Sequence, residues 1–289
     1  MLRSIAVVGL GLLGGSICRK VKEISPGTVI SAYGRNQDVL REAKNDGVID
    51  VYGTIDTIHV QDVDLVIVAT PVIASIDIIL HILDDENLGD ETLVIDVGSV
   101  KQGICKSIFP HHKAKKFIGC HPMAGSEKSG YSYSQGDILE NASVIITPYE
   151  KNERNDIKKI EEFWRRLGGN TLIVDAEVHD AMVARTSHLP HLLSSCLMEY
   201  LGDNDTDGNS SYLEFSGNGL KDMTRLAGGS PDLWADIVSL NKEHIITVLD
   251  QYMDLLSEVR KQMGNNTVRE ESWNHFKKAR DYRFRMEGR

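Results

Sequence analysis

Apolar and polar positions along the first half of the chain fall into a repeating order of short apolar runs and longer amphipathic ones. The apolar, β-branched runs "SIAVVGLG", "TVISAYG", "VDLVIVAT" and "ETLVIDVGS" predict strands buried on both faces. Helical spacing follows each of them. It is seen in "LLGGSICRKVKEI", in "NQDVLREAKNDG" closed by Gly47, in "PVIASIDIILHIL" opened by Pro71, and in the shorter "VKQGICKSI". Further strands are predicted at "KFIGCHP", "SVIITP" and "NTLIVD", with the amphipathic helix "NDIKKIEEFWRRLGG" between the last two. Such alternation implies a parallel sheet covered by helices on both sides, a doubly wound α/β fold.

After Asp175 the strand pattern stops. "AEVHDAMVARTSHLPHLLSSCLMEYLG" predicts one long helix, kinked at Pro190, which lacks the amide an interior position requires. Apart from a polar loop at "DNDTDGNSS", the remainder is helical to near the end. The expected boundary lies near residue 174, dividing an α/β domain, 1–174, from an all-helical domain, 175–289. The basic tail "KKARDYRFR" reads as a solvated helix face.

Composition narrows the partners. The chain has 289 residues and a formal net charge of -10, which argues against nucleic acid or an anionic membrane. An anionic substrate then needs a local cluster of cations. The start, "MLRSIAVVGLGLLGGSIC", imitates a secretory signal, but it carries several glycines and no small-residue cleavage site follows. No later run approaches the roughly eighteen apolar residues of a membrane helix. Cys18, Cys105, Cys120 and Cys196 are scattered without a C-x-x-C pair, as expected of reduced thiols in a cytoplasmic protein. Cys120 adjoins His121, yet neighbours in an extended segment face opposite ways, so Cys120 reads as a small buried hydrophobe.

Chemistry is carried by five segments. Gly9-Leu10-Gly11-Leu12-Leu13-Gly14 closes a strand and opens a helix, the setting in which G-x-G-x-x-G binds a dinucleotide. Gly9 allows the turn, Gly11 admits the pyrophosphate, and Gly14 lets helix and sheet approach; Leu12 and Leu13 open the helix. Thr70, ending the third apolar run, is a further cofactor-side candidate. The second strand ends in Gly34-Arg35-Asn36, where NAD enzymes carry an acid for the ribose hydroxyls. Arg35 suits a 2′-phosphate, which favours NADP over NAD, unless it is a surface cation and Asp38 caps the next helix.

"DVGSVK" at 96–101 ends the fourth strand, where an open α/β sheet presents its ligand crevice. Ser99 either caps the following helix, holds a hydroxyl near the nicotinamide, or does both. "GCHPMAGSEKSG" at 119–130 places His121 just past a strand, a natural acceptor of a hydroxyl proton near neutral pH. His188 and His191 share roughly one helix face, but no H-E-x-x-H or thiol spacing supports a metal. Arg225 reads equally well as a carboxylate clamp or a helix-face charge.

GxGLLGGS at 9–16, DVGSVK at 96–101, HPMAGSEKSG at 121–130, SHLPH at 187–191 and KDMTRLAGG at 221–229 occur in the order found in the prephenate/arogenate dehydrogenase family, which the chain resembles over nearly its whole length. The resemblance implies a Rossmann-like domain followed by a helical dimerisation domain, hence a homodimer. It also implies oxidation of prephenate with loss of its ring carboxylate, giving 4-hydroxyphenylpyruvate on the route to tyrosine. By the resemblance, His121 bonds the ring hydroxyl with Ser99 beside it. His191 and Arg225 then hold substrate carboxylates, and Glu127, with Ser126, lies near the pocket entrance. A partly protonated His191 beside Arg225 would favour prephenate over arogenate, whose ammonium it repels, although Glu127 could welcome that ammonium. Gly34-Arg35 departs from the acid many members keep, and no mutase or regulatory domain is expected beside these two.

Two rival readings differ in class. A β-hydroxyacid dehydrogenase shares the layout, and Asn241-Lys242 faintly matches the lysine base of such enzymes, but the HPMAG and SHLPH segments have no place there. A nucleotide-sensing protein with a dead active site would not turn over prephenate, and retention of His121 argues against it.

Overall fold

A computed structural model describes residues 2–125, 128–204, 211–264 and 266–288. Its first part alternates strand and helix: β1 (Ser4–Val8), α1 (Leu12–Ile24), β2 (Val29–Tyr33), α2 (Gln37–Asn45), β3 (Val51–Gly53), β4 (Leu65–Val68), α3 (Val72–Asp84), β5 (Leu93–Asp96) and α4 (Gln102–Ile108). Then come β6 (Phe117–Pro122), β7 (Ser143–Thr147), α5 (Arg154–Arg166) and β8 (Asn170–Ile173). The strands form one sheet in the order β3-β2-β1-β4-β5-β6-β7-β8. Every neighbouring pair is parallel except β6 and β7. The three-residue β3 is too short to show a period and was not expected from the sequence.

Alternate residues of each strand feed two cores. Ile5 and Val7 join Ile17, Leu40 and Ile67 on one face, while Ala6 and Val8 join Val66, Val68, Ile79 and Leu83 on the other. All are buried, each large aliphatic side chain contributing about 1.5–3 kcal/mol. Burial on both faces is why the strands read as unbroken apolar runs. Strand order reverses at β1, between β2 and β4. The register Val8 with Tyr33 and Val8 with Val68 brings their carboxyl ends level at that switch point, where open α/β sheets bind ligands.

The helical part opens with α6 (Ala176–Val183), capped by Asp175, whose side chain accepts the Glu177 N–H. The single long helix expected here is divided. A π turn, Ala184–His188, separates α6 from α7 (Leu189–Asp203), with Pro190 in the first turn of α7. Pro190 has no N–H to donate to the carbonyl four residues back, and the wider π turn before it absorbs that loss. α8 (Asn218–Thr224) and α9 (Pro231–Leu240) follow, then α10 (Lys242–Gln262) and α11 (Val268–Met286). Ala176 and Ile237 enter the second core cluster, so α6 and α9 pack on the α/β part. The chain forms two compact units, Met1–Lys242 and Glu243–Arg289, the second holding nearly all of α10 together with α11. Among the described residues, no helix is long and apolar enough to cross a membrane.

Candidate active site

The turn after β1 is shaped by two glycines. Gly9 has φ +94°, and a Cβ there would stand 2.5 Å from the Ala69 carbonyl oxygen; a Cβ on Gly14 would stand 2.1 Å from the Gly9 oxygen. Neither position tolerates a side chain. Around Gly11, by contrast, there is open space, and no side chain caps the N-terminus of α1. Leu12 and Leu13 begin that helix, whose first N–H groups and dipole suit a pyrophosphate. These features fit a dinucleotide.

At the end of β2, Arg35 is exposed and no carboxylate occupies Gly34-Arg35-Asn36. Asn36, rather than Asp38, caps α2, its side chain accepting from the N–H groups of Asp38 and Val39 at 3.2 Å each. Asp38 pairs with Arg41 instead. Thr70 packs beside Gly9, and its hydroxyl lies 2.9 Å from the Ser75 hydroxyl.

A cleft of about 310 Å³ brings together Leu13, Ser99, His121, His191 and Arg225, with Ser187 and Trp234 in its wall. Residues from all five motif segments therefore meet in one place. Ser126 and Glu127 lie outside the described residues. Lys128, not anticipated, borders this cleft and the neighbouring hollow that contains Leu12, its ammonium 5.4 Å from the centre of the Tyr133 ring.

Cys120 and His121 face opposite sides of β6. Cys120 accepts the Trp164 indole N–H at 3.4 Å within the core, and burial pushes its thiol up to about 12. His121 is buried, and desolvation, reinforced by His179, Lys101 and His188, holds it well below the usual histidine range. Its Nδ1 lies 2.8 Å from His179 Nε2, and His179 Nδ1 lies 2.7 Å from Asp180 Oδ1. Asp180 in turn accepts the N–H groups of Lys101 and Gln102 at 2.8 Å each. The cap of α4 thus comes from a residue some eighty positions away, and Ser99 does not provide it. Beneath the Ser99 turn, Asp96 and Lys101 form a fully buried ion pair. Asp96 also accepts from Gly98 N–H at 2.8 Å and Cys120 N–H at 3.2 Å, tying the ends of β5 and β6 together.

The two histidines of the helical part divide their duties around Trp234. His188 is buried, its Nδ1 accepting from Asn241 Nδ2 at 3.0 Å, and desolvation pushes it down to about 4. Asn241 Nδ2 also donates to the Asp180 carbonyl at 2.8 Å. His191 stacks on Trp234 with centroids 3.6 Å apart, and its Nδ1 donates to the Ser187 carbonyl at 3.2 Å. Burial lowers His191 against the opposing effect of that bond, and the charge of Arg225 lowers it further. Burial and Arg225 thus favour the neutral ring of His191, whereas the sequence alone points to a partly protonated one. Arg225 opens the turn Arg225–Gly228, which Ser194 anchors on α7 by accepting the Ala227 N–H at 3.0 Å.

A doubly wound sheet with a glycine turn at its switch point, and a histidine-lined cleft at the same strand ends, is the architecture of a nucleotide-dependent oxidoreductase. A family model described as the nucleotide-binding domain of prephenate dehydrogenase matches residues 17–173, and one described as its dimerization domain matches 175–278. Prephenate dehydrogenase of Bacillus subtilis is 30% identical over 283 residues, 97% of this chain and 75% of that one. Cyclohexadienyl dehydrogenase of Zymomonas mobilis is 29% identical over 89% of this chain and 87% of its own. The crystal structure of prephenate dehydrogenase from A. aeolicus in complex with hydroxyphenyl propionate and NAD+ superposes with a TM-score of 0.91, at 28% identity and over 99% of both chains. The chain belongs to the prephenate dehydrogenase family.

Proposed function

We propose that this chain oxidises prephenate to 4-hydroxyphenylpyruvate and CO2 in tyrosine biosynthesis. The observation that carries the reading is the meeting of His121, Ser99, His191 and Arg225 in one cleft beside the glycine turn. Residues 1–174 serve as the dinucleotide-binding domain and 175–289 as the helical substrate and dimerisation domain. Arg225 holds a substrate carboxylate, and His191 accepts or donates a further hydrogen bond according to the charge brought to it. Ser126 and Glu127 are assigned to the substrate on their place in the motif alone. This places the ring hydroxyl at His121, with Ser99 beside it.

His121 takes the hydroxyl proton as the carbinol carbon becomes a carbonyl. A dinucleotide held at the turn of Gly9, Gly11 and Gly14 would supply the acceptor for the hydride of that carbon. Loss of the ring carboxylate as CO2 then sends its electron pair into the ring, which becomes aromatic as a phenolate. The phenolate regains the proton from His121, so the base is restored within one turnover. Positioning and proton exchange are what the residues supply, and aromatisation supplies the driving force.

NADP is the favoured cofactor, supported by exposed Arg35 and the missing carboxylate after β2; NAD is the alternative. A homodimer is supported by the description of the second matched domain and by the exposed apolar side chains Leu255, Leu256, Trp273 and Phe276 of the C-terminal unit. A cytoplasmic location is supported by four unpaired thiols. Neutral His191 leaves Arg225 as the charge that disfavours an ammonium-bearing substrate, and prephenate is preferred on that ground. Arogenate is the second reading, since a neutral imidazole can accept a bond from its ammonium.

The test is a spectrophotometric assay crossing NAD and NADP with prephenate and arogenate. The highest kcat/KM is expected for prephenate with NADP. A higher value for arogenate would replace the substrate, and indifference to NADP would replace the cofactor.

A further inference from the structure

We infer that His179 and Asp180 are positioning residues that hold His121 in the one neutral tautomer able to act as a base toward the cleft. This rests on the reading of His121 as the proton acceptor. Asp180 receives two backbone N–H groups at the start of α4, at 2.8 Å each. Both carboxylate oxygens of Asp180 are thereby held as acceptors. Ionised, Asp180 can only accept. His179 Nδ1, 2.7 Å from Asp180 Oδ1, must therefore carry a proton.

Neutral His179 then presents a bare Nε2 to His121, 2.8 Å away. His121 Nδ1 must supply the proton of that bond, which leaves its Nε2 with a lone pair. His121 is in the cleft wall, whereas its Nδ1 is consumed by the buried pair, so the lone pair is the atom left for the substrate hydroxyl. The opposite tautomer would place an N–H there and could not take a proton.

The same chain answers the charge formed in the reaction. When His121 is doubly protonated, its Nδ1–H remains bonded to His179, whose other nitrogen leans on the Asp180 carboxylate. Burial of His121, with His179, Lys101 and His188 nearby, disfavours that cation, and the hydrogen-bonded path to the Asp180 carboxylate is what remains to steady it while the proton is held. His179 is itself buried, so nearby solvent does not take over this role. Asp180 is kept from drifting by its main-chain carbonyl, which accepts the Asn241 amide at 2.8 Å, while the same amide group donates to His188. His179 and Asp180 thus act through His121 and touch no substrate.

The experiment begins with the unsubstituted protein. Long-range nitrogen-15 spectra of histidine-labelled protein, with His121 assigned by the signal lost in His121→Asn, should show His121 protonated at Nδ1 and bare at Nε2. The reverse protonation would overturn the inference. Steady-state assays with prephenate then compare His179→Ala with His179→Gln. His179→Ala should lower kcat roughly 10²-fold, near the smaller end of what a general base contributes, with KM for prephenate and affinity for the dinucleotide within a few-fold. His179→Gln, whose amide oxygen can accept the same Nδ1–H, should recover part of that loss. Unchanged kcat in His179→Ala would overturn the positioning role. A His121 that reads Nδ1-protonated in a protein inert toward prephenate would uphold the tautomer and reject the functional reading instead.

Discussion

The two sides of the cleft are made of different material. On the cofactor side, the chain offers backbone: a turn at Gly9, open space at Gly11, a close approach at Gly14 and the bare N-terminus of α1. On the other side it offers side chains: His121 from β6, backed by the buried His179 and Asp180 of α6, and His191 from α7 stacked on Trp234. Backbone sites bind a large, invariant ligand by shape and dipole, and a change at one residue is felt as affinity. Side-chain sites hold proton positions, and a change there is felt as rate. The difference predicts that the two sides fail in separable ways.

The largest separation is expected from His121→Asn. It should lower kcat about 10²–10⁴-fold, the usual contribution of a general base, while dinucleotide affinity measured by fluorescence titration stays within a few-fold. Turnover near that of the parent would show that the base lies elsewhere. On the opposite side, Arg35→Ala should raise KM for NADP while leaving kcat and the KM for NAD nearly unchanged. One charge-assisted contact is worth about 1.5–3 kcal/mol. Equal effects on both cofactors would remove Arg35 from the cofactor side.

A smaller effect concerns stability. His121 lies well below the ordinary histidine range and His188 is pushed down to about 4, both through burial. In the unfolded chain both take a proton near the ordinary pKa of about 6.5. Between those values the unfolded state binds more protons, so stability rises with pH. The contribution is complete above pH 6.5 and is lost as pH falls through the folded values. Urea unfolding midpoints should accordingly hold steady from pH 8 to 7 and decline from pH 6 to 5, and His188→Gln should flatten part of that decline. A midpoint that rose on acidification would contradict neutral burial of these rings.

The same contrast explains what the sequence disclosed. The glycine turn is local: six consecutive residues between a strand and a helix specify it, and the apolar runs announce the doubly wound sheet. His121, Ser99, His191 and Arg225 were visible as separate motifs, and the fold brings them to one cleft. What joins them was hidden. His179 sits 58 residues from His121, and Asp180 nearly 80 from the helix start it caps. "EVHDAM" looks like any polar turn of an amphipathic helix. A buried His-Asp dipeptide leaves no periodic mark, because its partners come from other elements. The sequence also left two local details open, the cap of α2 and the cap of α4, since several polar residues at each helix start could serve. The preference of His191 for the neutral ring depends on how deeply Trp234 and the wall bury it, which no motif records.

The most direct test of the whole account is the prephenate arm of the cofactor assay, followed to its products. With prephenate and NADP, CO2 and reduced nicotinamide should appear in equal amounts, together with 4-hydroxyphenylpyruvate. Reduced nicotinamide without CO2, or no reduction with either cofactor, would contradict it.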